Sequence, residues 1–99
     1  MTSSDVEDRL DRLTTRILVP LRTEKRVVKD DLDELCELVA TARDEGLFRG
    51  SIEVRLAGKF WSIFCSMLAE ADHARDPDPI LNAAWRYQEE LSRSFGPVF

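Results

Sequence analysis

Glu70 and His73 have a spacing that supports metal chemistry. They are three positions apart, so on a helix the carboxylate and the imidazole lie one turn apart on the same face. Two such Glu-x-x-His pairs with two further carboxylates hold the metals of ferritin-like bundles. With one histidine per chain, such a site requires a homodimer, with Glu34 or Glu37 as the further ligands. Because Glu70 and His73 share a polar stripe with Lys59, the sequence favours a solvated helix end, and a homodimeric metal-binding protein is the alternative hypothesis.

No other group of residues forms a complete catalytic or cofactor site. A nucleophilic site needs a base beside the nucleophile, and no motif ties His73 to a serine or cysteine. Asp72, Asp76 and Asp78 lack the glycine and the terminal glutamate of an EF-hand calcium loop. The sequence therefore predicts a non-catalytic protein without a cofactor.

The two cysteines, Cys36 and Cys65, are far apart and belong to no metal-type pair. Both lie beside apolar stripes, where a free thiol behaves as a small hydrophobic side chain. The sequence favours two reduced, partly buried thiols, with a bridge between facing helices as the alternative.

The charge balance narrows the classes of partner. The net charge is -5, whereas nucleic-acid binding needs clustered Lys and Arg that neutralise phosphates. The polar, acidic start is unlike a secretory signal, and the most apolar stretch, residues 60–71, is interrupted by polar side chains. We therefore expect a cytoplasmic protein that binds neither nucleic acid nor membrane.

Four helical segments must position these residues, at about residues 5–19, 24–45, 52–73 and 79–95, in one domain covering residues 1–99. Start and stop signals bound them, namely the capping-box pair Ser4 and Glu7, Pro20, Gly46 with Leu47, Asp78 with Pro79, and Gly96 with Pro97. Short connections predict a small antiparallel four-helix bundle.

The third segment is the one ambiguous element. Residues 51–56 alternate between polar and apolar side chains as a strand does, but no second alternating run exists to pair with them. We therefore expect a helix that is apolar over half its surface and central to the bundle. Three helices of the same chain, or fewer helices and a second copy, would cover it. The narrow seam of the first helix, at Val6, Leu10, Leu13 and Ile17, slightly favours a homodimer.

Charged residues on the helices are expected to pair locally. Asp5 precedes Arg9, and Asp8 precedes Arg12, by one turn in the favourable orientation. A basic cluster ahead of the second helix is interpreted as pairing locally with the aspartates that follow, and an anion contact is its alternative. Its members are Arg22, Lys25, Arg26 and Lys29.

The exposed aromatic residues suggest what the domain does. Trp85 lies at the edge of the fourth helix's apolar stripe with Leu81 beside it, so the two form either an outer apolar patch or the margin of a wide core. Phe48, in the turn between Gly46 and Gly50, is either a capping contact or an exposed anchor. The sequence thus predicts a module that binds another protein, of adaptor, immunity, antitoxin or regulatory type, through Trp85, Leu81 and Phe48.

Overall fold

A computed structural model describes residues 1–96. It contains four helices, α1 (Ser3–Glu24), α2 (Lys29–Asp44), α3 (Val54–Ala71) and α4 (Asp78–Phe95), and no strand within the described part of the chain. The prediction of an all-α four-helix bundle is confirmed. Pro97, which the sequence places in the stop signal of the fourth helix, lies outside the described residues.

The four helices form a square in which each packs against two others. Around the square the order is α1, α2, α4, α3, so α1 lies diagonally opposite α4 and α2 diagonally opposite α3. Consecutive helices alternate in direction. The ion pairs Glu7–Arg55 and Lys25–Glu70 show that α1 and α3 run parallel, because both partners advance together along the chain. The connection of residues 45–53 therefore crosses the diagonal of the bundle.

Among the described residues, the core consists of hydrophobic side chains from all four helices, and Tyr87 is its one member with a hydroxyl group. The α1 seam at Val6, Leu10, Leu13 and Ile17 is 0–1% exposed. Its side chains are thus covered within the chain, and the argument that this seam pairs two copies loses its basis. The phenol of Tyr87, on α4, is also fully buried and donates a hydrogen bond to the backbone oxygen of Phe60, on α3, at 2.7 Å.

Both ends of α1 differ from the prediction. The capping box is formed by Thr2 and Asp5, each accepting the other's amide, rather than by Ser4 and Glu7. The helix also continues through Pro20 to Glu24, because Leu21 extends the buried stripe by another turn. Burial of that turn offsets the one backbone donor that proline removes.

The ends of α2 and α4 follow local turn chemistry. Gly46 has φ +77° and the Leu47 amide donates to the carbonyl of Ala42, so the predicted glycine stop with a returning leucine is confirmed. At the start of α4, Asp78 is already helical, and the side chain of Asp76 accepts its amide at 3.2 Å. The prediction of Asp78 as the capping residue is therefore wrong by one position.

Helix α3 is shorter than predicted at both ends. It begins at Val54, and residues 51–53 precede it without regular structure, so the helical interpretation of residues 54–56 is confirmed over the strand. It ends at Ala71, which leaves His73 in the turn beyond the helix. Two helices of the same chain, α1 and α4, pack against the broad apolar surface of α3.

Candidate functional site: the uncharged face of α3 and α4

Three of the four seams between neighbouring helices are bridged by ion pairs. Along the α1–α3 seam, Glu7 accepts hydrogen bonds from Arg55 and from Lys59, the latter at 2.7 Å, and Lys59 also reaches Asp11 at 2.9 Å. Hydrogen bonds from Lys59 and Arg55 hold the pKa of Glu7 below its usual 4.5. At the far end of the same seam, Lys25 binds Glu70 of α3.

The α2–α4 and α1–α2 seams have the same character. Asp33 accepts from Lys29 on its own helix at 2.7 Å and from Arg86 across the seam at 2.6 Å, and these contacts lower its pKa. The predicted local pairing of the basic cluster is thus confirmed for one of its members, Lys29. Arg43 binds Glu90 at 3.1 Å, and between α1 and α2 Arg16 binds Glu34 at 2.7 Å.

The α3–α4 seam has no ion pair within residues 1–96 and is closed by aromatic rings instead. Phe64 is 3% exposed and lies below two tryptophans, with ring centroids 5.9 Å from Trp61 and 5.9 Å from Trp85. Trp85 is 50% exposed. The sequence left open whether Trp85 belongs to an outer apolar patch or to the margin of a wide core. Both descriptions apply, because one part of the indole packs on Phe64 at the core margin and the other part faces solvent.

The surface around Trp85 is free of charge over several turns of α3. Residues 60–69 contain no charged side chain, and the charged residues that flank them, Lys59 and Glu70, are turned toward α1. We call this surface the α3/α4 face and define it by its half-buried and exposed side chains, Trp61, Cys65, Leu68, Leu81 and Trp85. On α4, Arg86 binds Asp33 of α2 at 2.6 Å, and Glu89 and Arg93 bind each other at 3.3 Å.

Phe48 does not belong to this face. It packs at the end of the bundle against Phe60 and Phe95, with ring centroids at 5.8 and 4.9 Å. Of its two predicted roles, the structure bears out the capping contact. Leu81, by contrast, lies on the α3/α4 face as a half-buried residue packed against the core.

The Glu70–His73 pair has a different setting from the one that metal binding requires. Lys25 donates to Glu70 at 2.6 Å, and this hydrogen bond lowers the pKa of the carboxyl. Within residues 1–96 no three histidine, cysteine or carboxylate side chains converge as metal ligands. Lys25 was predicted to pair locally, but it reaches across to α3. The sequence favoured a solvated helix end for Glu70 and His73, and the structure shows that Glu70 is bound by a lysine at the end of α1.

The two thiols differ in environment. Cys36 is 7% exposed on α2, where burial raises its pKa to about 11, so it behaves as the predicted small hydrophobic residue. Cys65 is exposed on α3, which corrects the expectation that both are partly buried. Both thiols are free, and they lie on helices diagonal to each other.

Comparison with known proteins finds no match, whether with a family model, a curated protein or a solved structure. Within residues 1–96, every helix is too short or too polar to traverse a bilayer. The pairs Glu7–Arg55 and Asp11–Lys59 were missed in the sequence because the partners of each lie 48 positions apart. The sequence nevertheless carried a signal for these pairs. Two acids on α1, Glu7 and Asp11, and two bases on α3, Arg55 and Lys59, have the same one-turn spacing.

Proposed function

We propose that this chain is a non-catalytic interaction module that binds another protein through the α3/α4 face. The observation that carries the proposal is the half-exposed indole of Trp85 resting on Phe64, beside a stretch of α3, residues 60–69, that carries no charged side chain. Tryptophan is enriched among the residues that dominate binding energy, and the centres of interfaces are depleted in charge. The α3/α4 face has both features of an interface centre, an exposed tryptophan and few charged side chains.

The partner is a protein with an uncharged, apolar contact surface. A charged partner surface would lose its hydration against the α3/α4 face and find no opposite charge there. The other sides of the bundle present paired and unpaired charges instead. Charge matching thus assigns the apolar partner to this face rather than to the ionic seams.

The test is affinity capture from the native host followed by reconstitution with the purified partner. Trp85→Ala should lower the affinity by about tenfold or more, because it removes a large anchor from the contact. Val19→Ala is the control, since Val19 is 55% exposed on α1 and lies away from the face. It should retain the partner at the wild-type affinity.

A second variant separates binding from folding. Cys65→Arg places a charge on an exposed position one turn from Trp61 without disturbing the core. It should keep the melting temperature and weaken binding. The proposal fails if both variants bind as the wild type does, or if Trp85→Ala unfolds while Cys65→Arg binds normally. Sedimentation of the chain alone gives a further outcome, because dimerisation that Trp85→Ala abolishes would replace the partner by a second copy.

A further inference from the structure

The α1–α2 side of the bundle, opposite the α3/α4 face, carries an open groove of about 750 Å³. The groove is lined by Arg9, Asp11, Arg12, Thr15, Arg16 and Glu34. The three arginines follow the spacing i, i+3, i+7 and so form one stripe along α1, roughly 10 Å long at 1.5 Å per residue.

Two of these arginines are uncompensated. Arg16 is held by Glu34 at 2.7 Å, and Asp11 is held by Lys59 at 2.9 Å. Within the described chain, neither Arg9 nor Arg12 has a carboxylate within ion-pair distance.

The predicted local pairs do not form at these arginines. Asp5, one turn before Arg9, accepts the Thr2 amide at 2.9 Å and thereby caps α1. Asp8 lines a neighbouring hollow with Arg9 and Arg12 but forms no ion pair with them. The groove thus keeps two positive charges on a chain whose net charge is -5.

We propose that this groove binds an acidic segment of a partner protein, a helix with carboxylates one turn apart. The guanidinium group presents a planar set of donors that matches a carboxylate in two parallel hydrogen bonds. Arg9 and Arg12 lie one turn apart, so they match glutamates at the same spacing on a helix laid along the groove. A nucleic acid fits less well, because the acidic chain repels a polyanion and, among the described residues that line the groove, only Arg9 and Arg12 are cations without an ion pair.

The binding experiment uses a fluorescein-labelled, alanine-based helical peptide with glutamates one turn apart, measured by fluorescence anisotropy. The Arg9→Gln/Arg12→Gln variant should bind it about five- to tenfold more weakly, as expected for two exposed ion pairs. The control is Arg49→Gln/Arg75→Gln, which makes the same change of charge at two exposed arginines outside the groove. It should stay within about twofold of the wild type.

Several outcomes would overturn the proposal. These are no binding of the glutamate peptide to the wild type, equal losses in both double variants, and equal binding of a peptide with glutamines in place of glutamates. A DNA duplex that outcompetes the peptide through Arg9 and Arg12 would assign the groove to nucleic acid instead. Trp85→Ala should bind the peptide normally, so this result and the test of the α3/α4 face can fail independently.

Discussion

At the scale of single residues, Tyr87 is the polar side chain with the deepest burial among the described residues. Its ring is 0% exposed, and burial raises the pKa of the phenol well above 10. The hydroxyl therefore stays protonated and donates to the Phe60 carbonyl. This bond links α3 and α4, the two helices that form the α3/α4 face, within the core.

Tyr87→Phe should lower the free energy of unfolding by about 1 kcal/mol, because it removes one buried neutral hydrogen bond and keeps the ring. Urea denaturation followed by circular dichroism measures the change. Tyr87→Leu is the comparison variant and should cost more, since it also removes part of the ring. An unchanged stability in Tyr87→Phe would contradict the role given to the hydroxyl.

The residues of the candidate site were only partly foreseeable from the sequence. Trp85 and Leu81 were identified by their place on the helical projection, because the apolar period of α4 is unambiguous. Phe48 could not be assigned, since a turn residue has no periodicity and its environment depends on Phe60 and Phe95, which are distant in sequence.

At the scale of elements, two of the three ionic seams join helices that run parallel. They link α1 to α3 and α2 to α4, so they lie between the α1–α2 hairpin and the α3–α4 hairpin. The carboxyls of Glu7, Asp33 and Glu70 each accept hydrogen bonds from cations of the neighbouring helix, and the pKa of each is lowered.

Acid should therefore weaken the contact between the hairpins. A carboxyl whose folded pKa is depressed stabilises the fold above its unfolded pKa, near 4.5 for Glu7, and this contribution disappears as the pH falls through the folded value. Glu7→Gln should thus be less stable than the wild type at neutral pH, and the difference should shrink below pH 4.5. Urea unfolding at several pH values measures it.

Glu37→Gln is the matched control for this series. Glu37 is exposed on α2 and has no ion pair in the part of the chain that the structure describes. Its substitution should change stability little at any of these pH values. A Glu7→Gln deficit that persists undiminished in acid would assign the effect to packing rather than to charge.

The sequence predicted elements better than it predicted their limits. Four apolar periods identified four helices, but Pro20 was interpreted as an end because its local effect is visible and the burial of Leu21 is not. The same reasoning explains His73, which was placed on a helix that ends at Ala71. Boundaries depend on which turn the rest of the fold covers, and periodicity alone does not contain that information.

At the scale of the whole molecule, one core is shared by all four helices. Its members come from every helix and are almost completely covered. With no subset of helices enclosing a core of its own, the bundle is expected to unfold as a cooperative unit. Cys36 lies in this core, whereas Cys65 lies on the surface, so the two thiols report on different states of the protein.

Thiol labelling should distinguish these states. With a maleimide reagent, Cys65 should react in the folded protein, and Cys36 should react only when the bundle opens, because it is buried and its pKa is near 11. In a Cys65→Ser variant, the opening free energy from the labelling rate of Cys36 should equal the unfolding free energy from urea. Reaction of Cys36 as fast as that of Cys65 would instead indicate local release of α2.

The diagonal connection also determines where the bundle is open to attachment. The Met1 amino group binds Glu45 at 3.0 Å, and Phe48 contacts Phe95, so the start of α1, the end of α4 and residues 45–53 gather at one pole. A tag or a tethered domain joined ahead of Met1 would start at that pole. Because Met1 lines a hollow with Arg9 and Arg12, such a fusion would begin beside the α1–α2 groove, whereas the α3/α4 face on the other hairpin would remain open.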